Sequence, residues 1–163
     1  MDLAQTRLGM TVVVKSKLAS SSEAPDSDPV IVVGFDPGRD KCGLAVMDTD
    51  RKLYYHQVIL ADAVSTTLEE VNQAYDISVL VMGNQTTAQH WQAQVAAVLP
   101  SQVPIRQVDE RFSTLEARDR YWQMYPPKGL MRWVPQSLRT IPRPLDDIAA
   151  IILIERYLTI RNP

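Results

Sequence analysis

The chain has 163 residues, of which 45% are hydrophobic and 22% are charged, and its formal net charge is −2. This size and composition suit one globular domain and exclude disorder or a fibrous repeat over the whole chain. One cysteine and two histidines cannot supply an internal disulfide or the usual zinc sites, so a bound metal would need oxygen ligands. No apolar run approaches the roughly 18 residues of a membrane span, and the N-terminus lacks a secretory signal pattern. We therefore expect a cytoplasmic protein that does not contact membranes.

The first 29 residues differ in composition from the rest of the chain. Residues 19–29 consist mostly of Ser, acidic residues and Pro, which bury too little apolar surface to offset the entropy lost on ordering. Residues 11–14 read TVVV, which suits an apolar patch of the same tail better than an added edge strand. The sequence thus predicts a largely disordered extension at 1–29 and a folded domain at 30–160.

From residue 30 the chain alternates first between strands and turns, then between strands and helices. A continuous β-branched run at 30–35 predicts a strand that is buried on both faces at the centre of a sheet. The remaining predicted elements are strands at 44–48 and 53–60, a helix near 64–75, a strand at 79–83, a helix near 87–99, a strand at 105–109, and helices near 114–125 and at 146–158. Tight turns join antiparallel strands, whereas helical crossovers join parallel ones. The order predicts an α/β protein with a five-stranded mixed sheet flanked by helices, which resembles the RNase H-like fold.

Acidic residues follow two of the predicted strands. Asp36 comes directly after the central strand, and Asp109-Glu110-Arg111 ends the strand at 105–109. Carboxyl ends of parallel strands share one edge of a sheet, which is where open α/β folds bind ligands. Taken alone, Asp36 is explained equally well by the turn that Pro37-Gly38 forms, and the second group by an ion pair with Arg111.

Two further acids, Asp146 and Asp147, open the last predicted helix. An acid stabilises a helix N-terminus, which accounts for one of them. The other would complete a cluster with Asp36 and Glu110, and divalent cations would relieve the repulsion among the three carboxylates. Mg²⁺ or Mn²⁺ suits sites made of oxygen ligands. Two such ions about 3.5–4 Å apart can activate a water and stabilise the leaving oxygen in phosphodiester cleavage.

Basic and aromatic residues concentrate between positions 111 and 143, where the local net charge is +5 and a Pro-rich segment, 126–145, has no clear period. Cations interleaved with aromatic rings are typical of surfaces that bind single-stranded nucleic acid, although a basic helix with core aromatics explains part of the pattern. The candidate substrate contacts in the Pro-rich segment are Arg132, Trp133 and Arg139. Arg39 and Lys41, in the turn after the central strand, suit phosphate contacts or a solvated hairpin tip equally well.

Three segments together resemble one known family: VVGFDPGRDKCGLAVMD at 32–48, VDERFSTLEAR at 108–118 and PLDDIAAIILIERYL at 144–158. Their order and separations are similar to those of the YqgF/RuvX family of RNase H-like nucleases, relatives of RuvC-type Holliday junction resolvases, over about residues 30–160. The resemblance implies that the metal-binding catalytic acids are Asp36, Glu110 and Asp146, the last of which holds the position of the acid in the family's Asp-x-x-Ala-Ala pattern. It also implies that Arg111 and Ser113, in the Asp-Glu-Arg motif, contact or orient the substrate.

The same resemblance implies a metal-dependent endonuclease, with two Mg²⁺ or Mn²⁺ ions held by carboxylates, that processes the 5′ end of precursor 16S rRNA. We expect RNA rather than DNA as the partner, and a monomer or a homodimer. Two alternatives stay open: a Holliday junction resolvase-like DNA nuclease, and an RNA-binding ribosome-assembly factor with little or no turnover. An ATPase of the actin or sugar-kinase type is disfavoured because such proteins clamp ATP between two lobes, and this chain is long enough for one.

Overall fold

The fold is described from a computed structural model, which gives positions for residues 29–84, 88–109, 111 and 113–161. The predicted extension lies outside these residues except for its last position. Glu110, the acid expected to follow the fifth strand, also lies outside them. The domain limits drawn from the sequence therefore stay a prediction.

The described residues form five strands and four α-helices, in the order that the sequence predicts. The strands are β1 (Ile31–Asp36), β2 (Lys41–Asp48), β3 (Leu53–Leu60), β4 (Ile77–Gly83) and β5 (Ile105–Val108). The helices are α1 (Val64–Ala74), α2 (Ala88–Val98), α3 (Ser113–Met124) and α4 (Asp146–Arg161). The Pro-rich segment contains two short 3-10 turns, Gly129–Trp133 and Gln136–Leu138. In this part of the chain, no helix combines the length and the hydropathy that crossing a membrane requires.

The strands form one mixed sheet in the order β3-β2-β1-β4-β5. The first three strands pair antiparallel across tight turns, and β4 and β5 add parallel to β1 through helical crossovers. The predicted mixed sheet and the central position of β1 are therefore confirmed. Because β1, β4 and β5 run in the same direction, their carboxyl ends share one edge of the sheet.

Helices cover both faces of the sheet. Val33 and Phe35 of β1 pack into a core cluster with α1 and α2, whereas Val32 packs on the opposite face with α4. Successive side chains of a strand point to opposite faces, so a strand covered on both sides needs the unbroken apolar run that β1 has. Helix α3 lies outside α4 and contacts it through Ala117 and Ile148. Since α4 is thus enclosed by the sheet and by α3, it is apolar around most of its circumference.

Two glycines let α4 approach the backbone of the sheet. A Cβ atom on Gly34 of β1 would overlap the carbonyl oxygen of Ala150 and lie 2.7 Å from Cγ1 of Ile154. A Cβ atom on Gly43 of β2 would overlap the carbonyl group of Asp146. At both glycines the nearest obstacle is a backbone carbonyl group of α4, so neither position accepts a larger residue unless the helix moves. The N-terminus of α4 is therefore fixed directly against β2.

We expect Gly34→Ala to lower the free energy of unfolding by roughly 1–3 kcal/mol, because the added methyl group overpacks a backbone contact. Urea denaturation followed by circular dichroism measures this change. The control is Ser78→Ala at an exposed position of β4, which should alter stability by less than about 0.5 kcal/mol. Equal stabilities of the two variants would mean that α4 can shift away from β1 without cost.

Candidate active site

Two of the three predicted acids lie at the same edge of the sheet. Asp36 ends β1, where it pairs across the antiparallel ladder with Gly43. Gly43 in turn lies against the carbonyl group of Asp146, the first residue of α4. Asp36 and Asp146 are both half-buried. Because β2 pairs with β1 and packs against the start of α4, two acids that are 110 residues apart in the sequence lie at one edge of the sheet.

The thiol of Cys42 responds to both of these acids. Burial raises the pKa of Cys42 to about 11, and the negative charges of Asp36 and Asp146 contribute to the same increase. The backbone of Gly38 opposes it through a hydrogen bond from its amide to the sulfur, at 3.4 Å. Both carboxylates therefore act electrostatically on one buried atom, in agreement with the positions of Asp36 and Asp146 beside Gly43 of β2.

The third predicted acid, Glu110, lies outside the described residues, although the residues on either side of it are described. Val108 ends β5 and pairs with Gly83 of β4, while Phe35 of β1 pairs with Met82. In this register, Val108 at the end of β5 lies at the same height along the sheet as Asp36 at the end of β1. The role of Glu110 as the third acid stays a prediction.

The donor atoms that the described residues offer suit a hard divalent cation. Asp36 and Asp146 supply carboxylate oxygens, the ligand type that Mg²⁺ and Mn²⁺ prefer. Among the residues that the structure describes, which omit Glu110, no three acidic, His or Cys side chains group closely enough to hold a metal ion.

Asp109 is committed to a local ion pair. Its Oδ2 lies 2.8 Å from Nε and 2.6 Å from Nη2 of Arg111, and its Oδ1 accepts the Arg111 amide at 3.0 Å. The hydrogen bonds from Arg111 hold the pKa of Asp109 below its usual range. The Arg111 side chain remains 80% exposed, so it can also face a ligand. Ser113, the other predicted substrate contact of this motif, is buried at the first position of α3.

Asp147 is buried and its carboxylate contacts two side chains. Its Oδ2 lies 2.6 Å from Nδ1 of His56 on β3, and its Oδ1 accepts a hydrogen bond of 2.9 Å from Arg143. Burial by itself raises the pKa of Asp147, but the hydrogen bonds from His56 and Arg143 outweigh burial and hold the pKa below its usual range. The residue is 2% exposed. Asp147 is therefore occupied by contacts within the protein, whereas the carbonyl group of Asp146 lies against Gly43, the ladder partner of Asp36.

No pattern in the sequence indicates that His56 contacts Asp147. A single histidine on a half-exposed strand carries no spacing or motif that would identify its contact. The pairing arises because α4 crosses β3 beyond β2, which depends on the assembled sheet. Arg143 lies four residues before Asp147, but it precedes the helix, so helical spacing does not predict this contact either.

Two predicted substrate contacts lie in exposed positions after the end of β1. Arg39 is in the turn between β1 and β2, Lys41 is the first residue of β2, and both are exposed. The turn is held by helix α2, because Nε1 of Trp91 donates a hydrogen bond of 3.1 Å to the carbonyl oxygen of Gly38. The two cations therefore lie in and directly after a supported turn that follows Asp36.

The Pro-rich segment presents Arg132 and Trp133 outward and turns Arg139 inward. Trp133 is 87% exposed, and within the described part of the chain the Arg132 side chain makes no hydrogen bond or ion pair. The guanidinium group of Arg139 donates to the carbonyl oxygens of Val134, at 2.8 Å, and of Arg132, at 3.3 Å. It also lies 5.5 Å from the centre of the Trp122 ring. Arg139 thus stabilises the loop on which the other two residues lie.

The strand order, the mixed sheet and the acids at the ends of β1 and the start of α4 define an RNase H-like protein. The sequence model of the RuvX family, which is described as Holliday junction resolvase, matches residues 30–160. The chain therefore belongs to the RuvX family. This membership supports a nuclease that acts on nucleic acid.

Solved structures of resolvases resemble the chain at low sequence identity. The fowlpox virus Holliday junction resolvase is 15% identical with a TM-score of 0.56, and the match covers 81% of this chain and 99% of that protein. RuvC of Thermus thermophilus in complex with Holliday junction substrate is 16% identical with a TM-score of 0.49, over 81% of this chain and 96% of RuvC. The likeness to the fowlpox enzyme shows a shared fold. A comparison with curated proteins gives no match.

We expect Asp147→Asn to lower the free energy of unfolding by roughly 1.5–3 kcal/mol, because it replaces the charged carboxylate that accepts hydrogen bonds from His56 and Arg143 by a neutral amide. Asp146→Asn is the matched control, since it changes the neighbouring acid of the same helix turn and should alter stability by less than about 0.5 kcal/mol. Thermal and urea unfolding of both variants measure the difference. Equal losses would contradict the assignment of separate roles to the two acids.

Proposed function

We propose that the chain is a metal-dependent endonuclease that cleaves phosphodiester bonds of RNA, with the 5′ end of precursor 16S rRNA as its substrate. The observation that carries the proposal is the contact between Gly43 and the start of α4, because it brings Asp36 and Asp146 to one edge of the sheet. Membership of the RuvX family supports the reaction class. The proposal includes a cytoplasmic protein that acts as a monomer or homodimer.

The residues that would hold Mg²⁺ or Mn²⁺ are Asp36, Glu110 and Asp146. When bound, two such ions would neutralise the carboxylates, activate a water and stabilise the leaving oxygen. The chain contributes rigid positions for the acids: the end of a central strand for Asp36, and a helix start pressed against β2 for Asp146. Such pre-organisation lowers the cost of reaching the reactive geometry.

Cations on two sides of this edge would bind the phosphate backbone. Arg39 lies on the turn after β1, Lys41 begins β2, and Arg111 follows β5 with a largely exposed side chain. Phosphate contacts of this kind position a substrate without reading its sequence. Ser113, at the start of α3, would orient the loop that carries Arg111.

The Pro-rich segment would supply a stacking surface for unpaired bases. Trp133 is exposed next to Arg132, and a base can stack on the indole ring whatever its identity. Arg139 would support this surface through its bonds to the carbonyl oxygens of Arg132 and Val134.

A Holliday junction resolvase-like activity on DNA is the second candidate. The description of the RuvX family and the shared fold with the fowlpox virus Holliday junction resolvase favour it. A resolvase must cut two strands, so it would require two copies of the site.

We expect cleavage of labelled precursor rRNA with Mg²⁺ or Mn²⁺, none with EDTA, and a loss of at least roughly 100-fold in Asp36→Asn, since metal stabilisation of transition-state charge is worth several kcal/mol. Gels that compare precursor rRNA, simple single-stranded RNA and a four-way DNA junction identify the substrate. Asp40→Asn, in the same turn and exposed, is the control and should retain activity.

Each outcome of this assay selects one function. Preferred cutting of the junction by a dimer would select the resolvase-like activity over rRNA processing. Salt-sensitive binding of RNA without any cutting would select the ribosome-assembly factor. An Asp36→Asn protein as active as the wild type would refute the proposed metal site.

For the stacking surface, we expect Trp133→Ala to weaken binding of single-stranded RNA by about 1–3 kcal/mol. Arg132→Ala should weaken binding and reduce the slope of log affinity against log salt by about 1. Fluorescence anisotropy with labelled RNA in the presence of EDTA measures both without cleavage. Ser137→Ala, exposed in the same segment, is the control, and equal affinities of all three variants would exclude this segment from the interface.

A further inference from the structure

A depression of about 450 Å³ lies between helix α3 and the Pro-rich segment. Its volume is within the range of sites that bind small molecules. The depression adjoins the proposed stacking surface, because Arg139 at its rim donates a hydrogen bond to the carbonyl oxygen of Arg132, the neighbour of Trp133. The residues that line it all carry polar side-chain groups: Asp119, Trp122 and Gln123 of α3, and Gln136 and Arg139 of the Pro-rich segment.

Two of these side chains form a stack. The guanidinium carbon of Arg139 lies over the Trp122 ring, 5.5 Å from its centre. Nε and Nη2 of Arg139 donate to the carbonyl oxygens of Val134 and Arg132, and the N–H groups of a guanidinium lie in its plane. The face of the guanidinium opposite Trp122 is therefore left for a second ring. Nucleobases stack on arginine planes as well as on aromatic rings.

A carboxylate with spare acceptor capacity lines the same depression. Oδ1 of Asp119 accepts a hydrogen bond of 2.7 Å from Nε2 of Gln136, which ties α3 to the Pro-rich segment. An ionised carboxylate offers about four acceptor sites and no donor, so Asp119 keeps room for donors of a ligand. Asp119 is exposed, and a ligand reaches it without a change in the fold.

The chemistry of this lining selects one class of ligand. A phosphate group is disfavoured, because the charge of Asp119 repels it and Arg139 already donates to loop carbonyl groups. A planar ring with N–H groups on its edge suits both parts of the site, since it stacks on the guanidinium and donates to the carboxylate. Unpaired RNA bases are read in this way, by stacking and by hydrogen bonds to their Watson–Crick edges. Guanine is the RNA base that presents two adjacent donors, N1–H and the 2-amino group, to one carboxylate.

We propose that this depression binds one unpaired guanine base, stacked on Arg139 and held by Asp119. The proposal rests on the function proposed above, since it adds a base-reading site to the same RNA-binding surface. The amide groups of Gln123 and Gln136 can donate to the guanine O6 atom, but they can also accept from other bases. The carboxylate, which only accepts, is therefore the group that discriminates between bases.

The main test is the affinity of the full chain for short oligouridine RNAs that carry one guanosine, inosine, adenosine or cytidine. Fluorescence anisotropy measures it, with EDTA present to prevent cleavage. We expect the guanosine RNA to bind roughly 5- to 150-fold more tightly than the adenosine or cytidine RNA, which is the discrimination of a bidentate contact to a base. Inosine lacks the 2-amino group, so the inosine RNA should have an intermediate affinity.

Asp119→Asn tests the carboxylate without removing the contact between α3 and the Pro-rich segment, because the asparagine Oδ1 still accepts from Gln136. The new amide group offers donors where guanine also has donors, so the preference for guanosine should fall below about twofold. Arg139→Ala should weaken the binding of all four RNAs by similar factors, since stacking depends little on the identity of the base.

The matched control is Asp62→Asn, an exposed acid in the short 3-10 turn after β3. It should keep both the affinities and the preference for guanosine. Thermal unfolding of each variant confirms that it is folded, and the comparison of guanosine with inosine needs no variant.

The outcomes separate this proposal from the proposed nuclease function. Equal affinity for the four RNAs, equal binding of guanosine and inosine, or a guanosine preference that Asp119→Asn retains would overturn the guanine site and leave the nuclease function in place. A guanosine preference that Asp119→Asn removes, in a protein that cuts none of the substrates, would support the guanine site and refute the nuclease function.

Discussion

The contact between α4 and the backbone of β1 and β2 is the constraint on which the site depends. At Gly34 and Gly43 no side chain separates the helix from the sheet, so the helix cannot slide or rotate without a backbone collision. Because Asp146 begins this helix and Asp36 pairs with Gly43, the same contact determines the separation of two carboxylates that would repel each other. Close packing thus supplies the stability that holds like charges together, which an exposed loop could not do.

Neighbouring acids in this protein have different partners because the backbone turns them in different directions. Successive residues of a helix point about 100° apart, so Asp147 faces the sheet while Asp146 lies at its edge. The cost of burying Asp147 is offset by His56 and Arg143, and the latter bond also fastens the end of the Pro-rich segment to α4. Burial of one acid therefore helps to place both the other acid and the loop beside it.

The order of strands and helices follows from hydrophobic period and turn residues, since both are local properties of the chain. The sequence also predicts which acids end a strand or begin a helix. It does not predict their lateral partners: His56 meets Asp147, and Arg156 meets the carbonyl groups around Glu110, through packing between distant elements. Arg139 is another contact that the sequence does not predict. The Pro-rich segment has no neighbouring strand to donate to its carbonyl groups, so the Arg139 side chain donates to them instead. Composition alone counts Arg139 only as a positive charge.

The internal use of arginine changes the meaning of the local charge. Between positions 111 and 143, where the local net charge is +5, four guanidinium groups contact partners within the protein. They are Arg111 with Asp109, Arg120 with Glu155, Arg139 with loop carbonyl groups, and Arg143 with Asp147. The field above this surface is therefore weaker than a net charge of +5 indicates, and the whole chain is slightly negative. A protein with this distribution gains little from long-range attraction to nucleic acid. Under the proposed function, the choice of substrate would then depend on short-range features: the cations Arg39 and Lys41 between β1 and β2, the exposed ring of Trp133, and the distance between them and the acids.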